Sequence, residues 1–142
     1  MSSSPVLAPA EERFVKSEAD VQDFERLEQQ LHSMLTEMSE LSKKRANDGL
    51  NKFKLKLVNV LLEGINKFLG DQRPFKEFET FDENDLPTNS DVVVMLSQYA
   101  AAIFQHRVEN TEYLDYKWWW PLPGKQGAVA TKDPNDFKYR GK

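Results

Sequence analysis

The sequence predicts a small all-α fold, and three observations carry that reading. Two long stretches repeat apolar residues at alternating steps of three and four. Helix-boundary residues stand at their ends, and a third apolar-periodic stretch follows a polar connector. The expected architecture is a small helical bundle: an αα-hairpin, a short aromatic helical turn and a third long helix, with flexible N- and C-terminal tails. Its boundaries are a flexible leader over 1–16, a single helical domain over 17–120 and a flexible tail over 121–142.

The first helix runs from Ser17 to about Arg45. Phe24, Leu27, Leu31, Met34, Met38 and Leu41 form its apolar seam, and Ser17 with Asp20 three residues later resembles a capping box. Glu25, Glu28, Gln29, Gln30, Glu37 and Glu40 fall between seam positions and predict a solvated opposite face. The seam is shorter than the three to four heptads that argue for an intermolecular coiled coil, so packing within the chain is expected.

Asn47, Asp48 and Gly49 interrupt the pattern. A second helix follows from about Leu50 to Leu69, with Leu50, Phe53, Leu57, Leu61, Ile65 and Phe68 on one face and Gly70 as its stop. Val58, Leu62 and Leu69 widen the apolar stripe, which places this helix deeper in the core. Because the break is short, the two helices are expected to lie antiparallel.

Pro74 introduces Phe75, Phe78 and Phe81, read as one or two helical turns with an aromatic edge. The acidic connector Asp82–Pro87 leads to Asn89 or Ser90, either of which can cap a helix beginning near Asp91. Val92, Leu96, Tyr99 and Ile103 are its buried stripe. Val92, Val93 and Val94 have strand character, but the cap signal and the Met95–His106 stretch favour a helix, reaching Tyr113 or beyond. After Trp120, prolines, glycines and scattered lysines describe a tail without order of its own.

At 142 residues the chain has room for one domain, able to bury roughly 68–70% of its unfolded surface. An apolar fraction of 39% and a charged fraction of 30% suit a folded domain in water. No apolar stretch approaches the roughly 18 residues that cross a bilayer, and Met1–Ala10 lacks the basic and apolar regions of a secretory signal. With no cysteine and no Asn-x-Ser/Thr acceptor, the expected location is cytoplasmic. A net charge of −4 argues against general nucleic-acid binding by the whole surface.

Catalytic signatures are missing. His32 and His106 lack the neighbours that proton transfer needs, and a chance Arg26–His32 spacing adds nothing to them. Glu37 and Glu40 share a helix face as metal-binding carboxylates do, but only Glu63 follows on the next helix. Leu86 and Pro87 stand where a calcium loop needs an oxygen ligand and glycine. No phosphate-cradling glycine motif or nucleophile elbow occurs. Hence no catalytic residue, no metal site and no cofactor is predicted.

Two constellations remain. Lys43, Lys44 and Arg45 end the first helix, and Asn51, Lys52, Lys54 and Lys56 begin the second, a weak anion-binding set that the acidic run Glu77–Asp85 can also neutralise. Tyr113, Tyr116 and three successive tryptophans, Trp118, Trp119 and Trp120, form the second. Adjacent helical residues point about 100° apart, so the three rings divide between closing the bundle and facing outward.

The sequence thus predicts a non-enzymatic intracellular adaptor whose partner-binding residues are Tyr116, Trp118, Trp119 and Trp120. The basic set (Lys43, Lys44, Arg45, Asn51, Lys52 and Lys56) would add an electrostatic contact. The expected partner is a protein of undetermined identity. Nucleic acid, held by both constellations, is the alternative, and a helical enzyme with an unrecognised site is the third class. Homodimerisation through residual apolar surface is the minority reading, and the choice between monomer and homodimer is left undecided.

Overall fold

The computed structural model describes residues 15–141, so the expected leader lies outside the described residues except for Val15 and Lys16. Three helices dominate: α1 (Glu18–Arg45), α2 (Lys52–Leu69) and α3 (Asn89–Asn110). Three short strands follow, β1 (Glu112–Leu114), β2 (Lys117–Pro121) and β3 (Ala128–Thr131). Two 3₁₀ helices occupy Gly70–Gln72 and Pro134–Phe137. The fold is therefore predominantly helical, and the all-α reading is corrected by a small antiparallel sheet where a helix end and a tail were expected.

Local chemistry accounts for that sheet. Asn110 Nδ2 donates to His106 O at 2.8 Å and Thr111 Oγ1 donates to Arg107 O at 2.7 Å, so side chains take the last carbonyls of α3 and end it before Tyr113. The aromatic residues that follow suit a pleated surface. Leu114 pairs with Lys117 across Asp115 and Tyr116, whose φ values are 54° and 66°, the left-handed pair of a type I′ hairpin turn.

The chain divides into two compact units. The first takes the described part of Met1–Arg26 together with Phe104–Lys138. Its helix start uses Ser17, whose Oγ accepts from Asp20 N at 3.2 Å, while Asp20 Oδ2 accepts from Lys16 N at 2.9 Å. This is the predicted capping box, with the return bond one residue earlier than the ideal. The sheet order is β1-β2-β3, with Trp118 opposite Tyr113 on one side and Thr131 on the other. Asp133 caps the last 3₁₀ helix by accepting from Asn135 N at 2.9 Å, and Pro134 within it is buried. Order thus extends through residues expected to be a tail, because β3 pairs with the tryptophan strand.

The second unit takes Leu27–Ile103 and Tyr139–Lys142. Asn51 caps α2, its Oδ1 accepting from Lys54 N at 2.8 Å, and Gly70 closes the helix at φ 53°, a conformation that glycine adopts without steric cost. The buried side of α2 comprises Leu55, Val58, Leu61, Leu62, Ile65 and Leu69. In α3, the predicted stripe of Val92, Leu96, Tyr99 and Ile103 is buried. Gly64 brings α2 against α1: a β-carbon there would stand 3.1 Å from Leu27 Cδ2.

The cap of α3 is Thr88, not Asn89 or Ser90. Thr88 Oγ1 accepts from Asp91 N at 3.1 Å. Asn89 serves the end of α1 instead. Its Nδ2 donates to Arg45 O at 2.8 Å, its backbone N–H to Asp48 O at 2.9 Å, and Ser90 N to Ala46 O at 3.0 Å. Amides left over at the start of α3 thereby satisfy carbonyls left over beyond α1.

The expected aromatic helical turn does not form over Phe75, Phe78 and Phe81; that stretch is irregular, and the 3₁₀ helix lies upstream of it. Asparagines on α2 take the loop's backbone. Asn59 donates to Phe81 O and accepts from Phe81 N, both at 2.9 Å, and Asn66 Nδ2 donates to Glu79 O at 2.9 Å. Those bonds compete directly with an internal helical ladder. Phe78 packs edge-on to Phe81, with 4.9 Å between centroids.

Candidate functional site

The three tryptophans lie on β2, so their side chains alternate by 180° rather than stepping by 100° as a helix would require. Trp118 and Trp120 share one face and Trp119 takes the other. The predicted division of roles therefore has a different geometric basis.

Trp120 turns inward and is 1% exposed. Its ring meets Phe24 edge-on at 5.0 Å, and its Nε1 donates to Glu25 Oε2 at 3.3 Å. The same carboxylate oxygen accepts from Thr131 Oγ1 at 2.8 Å and from Arg107 Nη2 at 3.0 Å. Arg107 is fully buried, with its guanidinium carbon 3.4 Å from the Phe137 ring centroid and 5.1 Å from that of Trp120. A buried cation is tolerable only with such pairing. Trp120 is thus an anchor of the first unit, placed away from solvent.

Beyond the anchor, the first hairpin carries an aromatic edge. Tyr113 and Trp118 face each other across β1 and β2 with 5.4 Å between ring centroids. Tyr113 is exposed and Trp118 half-buried. On the other face, Trp119 Nε1 donates to Leu114 O at 2.9 Å, with Lys117 Nζ 6.0 Å from its ring centroid. At the tip, Tyr116 is 92% exposed. A large side chain at φ 66° costs on the order of 1 kcal/mol relative to glycine, and here nothing is gained by burial.

The basic set stays on the second unit. Lys43 pairs with Glu40 at 3.0 Å and Arg45 with Asp48 at 3.4 Å, each local and exposed. Lys44, Lys52 and Lys56 are exposed. Asn51 spends its carboxamide oxygen on the α2 amide that an anion would otherwise use. In the acidic run, Glu79 pairs with Arg73 at 3.6 Å rather than with these lysines.

An open groove of ≈ 590 Å³ runs past Glu63, Lys67, Asp71, Arg73, Glu79 and Thr80. Behind it, Tyr99 Oη donates to Asn66 Oδ1 at 2.6 Å, and burial raises the Tyr99 hydroxyl above its ordinary value. His106 is fully buried against Phe24, with ring centroids 5.2 Å apart, and burial lowers it from 6.5 to about 4 despite the opposing pull of Glu109. His32 is half-buried beside the Tyr139 ring.

Sequence reasoning missed one surface. Phe53 and Leu57 were assigned to the buried face of α2, yet they stand exposed with Val60 at steps of four and three. The helix is apolar around most of its circumference, so periodicity alone offers two candidate inner faces. The interleaved lysines do not settle the choice, since Lys54 stands about 160° around the helix from Lys56.

Comparison with protein-family models, with curated proteins and with solved structures finds no match.

Proposed function

We propose that the protein is a non-enzymatic interaction module that captures a protein partner through the aromatic hairpin of β1 and β2. Tyr116 carries this reading. A turn of this geometry favours glycine, yet an almost wholly exposed aromatic ring occupies it. The exposed Tyr113 and the half-buried Trp118 extend the apolar surface along the hairpin, and tyrosine and tryptophan are the side chains most often found at the energetic centre of interfaces. Trp120, held by Glu25 and Arg107, fixes the strand that presents them.

The decisive variant is Tyr116→Gly. Partner capture, followed by photo-crosslinking from position 113 in the source cell, is expected to be lost while the thermal midpoint holds or rises. Undiminished crosslinking in Tyr116→Gly would remove the hairpin from the contact. A marked fall in the midpoint would assign the ring to the fold instead. Capture that collapses as salt rises from about 50 to 200 mM would identify the partner as nucleic acid.

A further inference from the structure

We infer that the outward face of α2 docks on the surface of an anionic phospholipid bilayer. The helix has two apolar sides. Leu55, Val58, Leu62, Ile65 and Leu69 supply the core, while Phe53, Leu57 and Val60 project away from it and are 72%, 45% and 61% exposed. No fold requirement accounts for the second side.

Charge surrounds this stripe. Lys52, Lys54, Lys56 and Lys67 are exposed on the same helix against the one acidic residue Glu63, in a chain of net charge −4. None of these lysines forms an ion pair among the described residues. Lys52, Lys54 and Lys56 also stand at the positive end of the helix dipole, where cations are unfavourable. The same two turns therefore hold phenylalanine in water and three cations at the wrong helix end. An occupant that is negative outside and apolar within relieves both.

A bilayer of anionic lipids has that character. The lysine ammonium groups reach headgroup phosphates and carboxylates while their stems lie along the apolar stripe, and Phe53 enters the acyl boundary. Other occupants fit less well. A second copy would set lysines against lysines with one glutamate each to compensate. Leu57 and Val60 offer neither base stacking nor base-edge hydrogen bonds to a nucleic acid. Three side chains over about 10 Å of helix fall well short of the ~800 Å² per partner of a stable protein interface, whereas a few apolar residues with several lysines suffice at a membrane.

The test is co-sedimentation of the full chain with vesicles of phosphatidylcholine, alone or mixed with phosphatidylserine. Binding is expected only to the anionic vesicles and is expected to weaken as salt is raised. Replacing Lys52, Lys54 and Lys56 together by Gln should weaken it about a hundredfold, a factor of about five per lysine. Phe53→Ser should weaken it at least about tenfold without loss of helicity, because the ring makes little contact with the core. The chain has no cysteine, so Val60→Cys can carry a single polarity-sensitive fluorophore whose emission should shift to the blue on anionic vesicles. Absence of binding to anionic vesicles at low salt would overturn the inference. So would a Phe53→Ser variant that binds like the parent, which would mean adsorption of lysines alone. A concentration-dependent dimer that Phe53→Ser dissociates would overturn it too, giving the face to a second copy.

Discussion

The Arg107 guanidinium stands 3.0 Å from the Glu25 carboxylate, 82 residues away in the chain, with the Phe137 ring against its other side. Glu25 also receives Thr131 and Trp120, so one oxygen ties α1, α3, β2 and β3 of the first unit together. Glu25→Ala leaves a fully buried cation without this carboxylate. The expected loss is roughly 3 kcal/mol, the low end for a broken buried pair because the Glu25 side chain is 34% exposed. Chemical denaturation measures it. Arg107→Lys should also fall below the parent value, since an ammonium lacks the planar group that meets Phe137.

The tryptophans should separate sharply. Trp120→Ala is expected to cost roughly 3–5 kcal/mol, as for other large core truncations. Trp118→Ala should cost about 1 kcal/mol, the scale of its pairing with Tyr113. In variants retaining one tryptophan each, iodide should quench Trp118 and Trp119 and spare Trp120. Equal quenching of all three would contradict the inward turn of Trp120.

His106 gives a pH dependence of defined sign. Burial depresses its pKa from 6.5 to about 4, so between these values the unfolded chain binds a proton that the folded chain resists. Its contribution to stability is therefore intact above 6.5 and is lost as pH falls toward 4, by up to about 3 kcal/mol. Denaturation midpoints across that range, compared with His106→Phe, check it. The variant should show a flatter acid limb.

Asn59 holds the Phe81 backbone by both its donor and its acceptor. Asn59→Ala should cost roughly 2 kcal/mol and release the connector between α2 and α3. Amide hydrogen exchange should then quicken around Phe81 while the buried centre of α3 stays protected.

How far the molecule was legible in its sequence follows from which interactions are local. The cap at Ser17 and the stop at Gly70 depend on residues within one turn, and both stand as the sequence predicts, whereas Asn51, expected in the anion-binding set, caps α2 instead. The stripe of α3 stands as predicted at Val92, Leu96, Tyr99 and Ile103, although the helix is also apolar off that stripe, with Val94 and Val108 exposed. In α1 the seam drifts: Leu35 and Glu28 are buried, while Met34 and Leu41 are half-buried, since steps of three and four serve either choice after Leu31. Glu25, expected on a solvated face, became the centre of a network because Arg107 reaches it from far along the chain. The strands were hidden for a similar reason. Trp118–Trp120 become a strand through pairing with Tyr113 and Thr131, and neither partner is visible to a periodicity argument. The candidate site was legible as residues but not as geometry: Tyr116 at a hairpin tip depends on two positive φ angles that Asp and Tyr do not announce.

The exchange between Asn89 and the end of α1 has a consequence for the order of events in folding. The Arg45 carbonyl has a local donor in Asp48 N, but the Ala46 carbonyl just beyond α1 takes its donor from Ser90 N, so the turn that finishes α1 is completed only after that long loop closes and its entropy is spent. A nascent chain released at Gly70 would hold both helices of the expected hairpin and still lack the groups that finish the first. The pair that looks most self-sufficient in the sequence is therefore an unfinished fragment until α3 arrives.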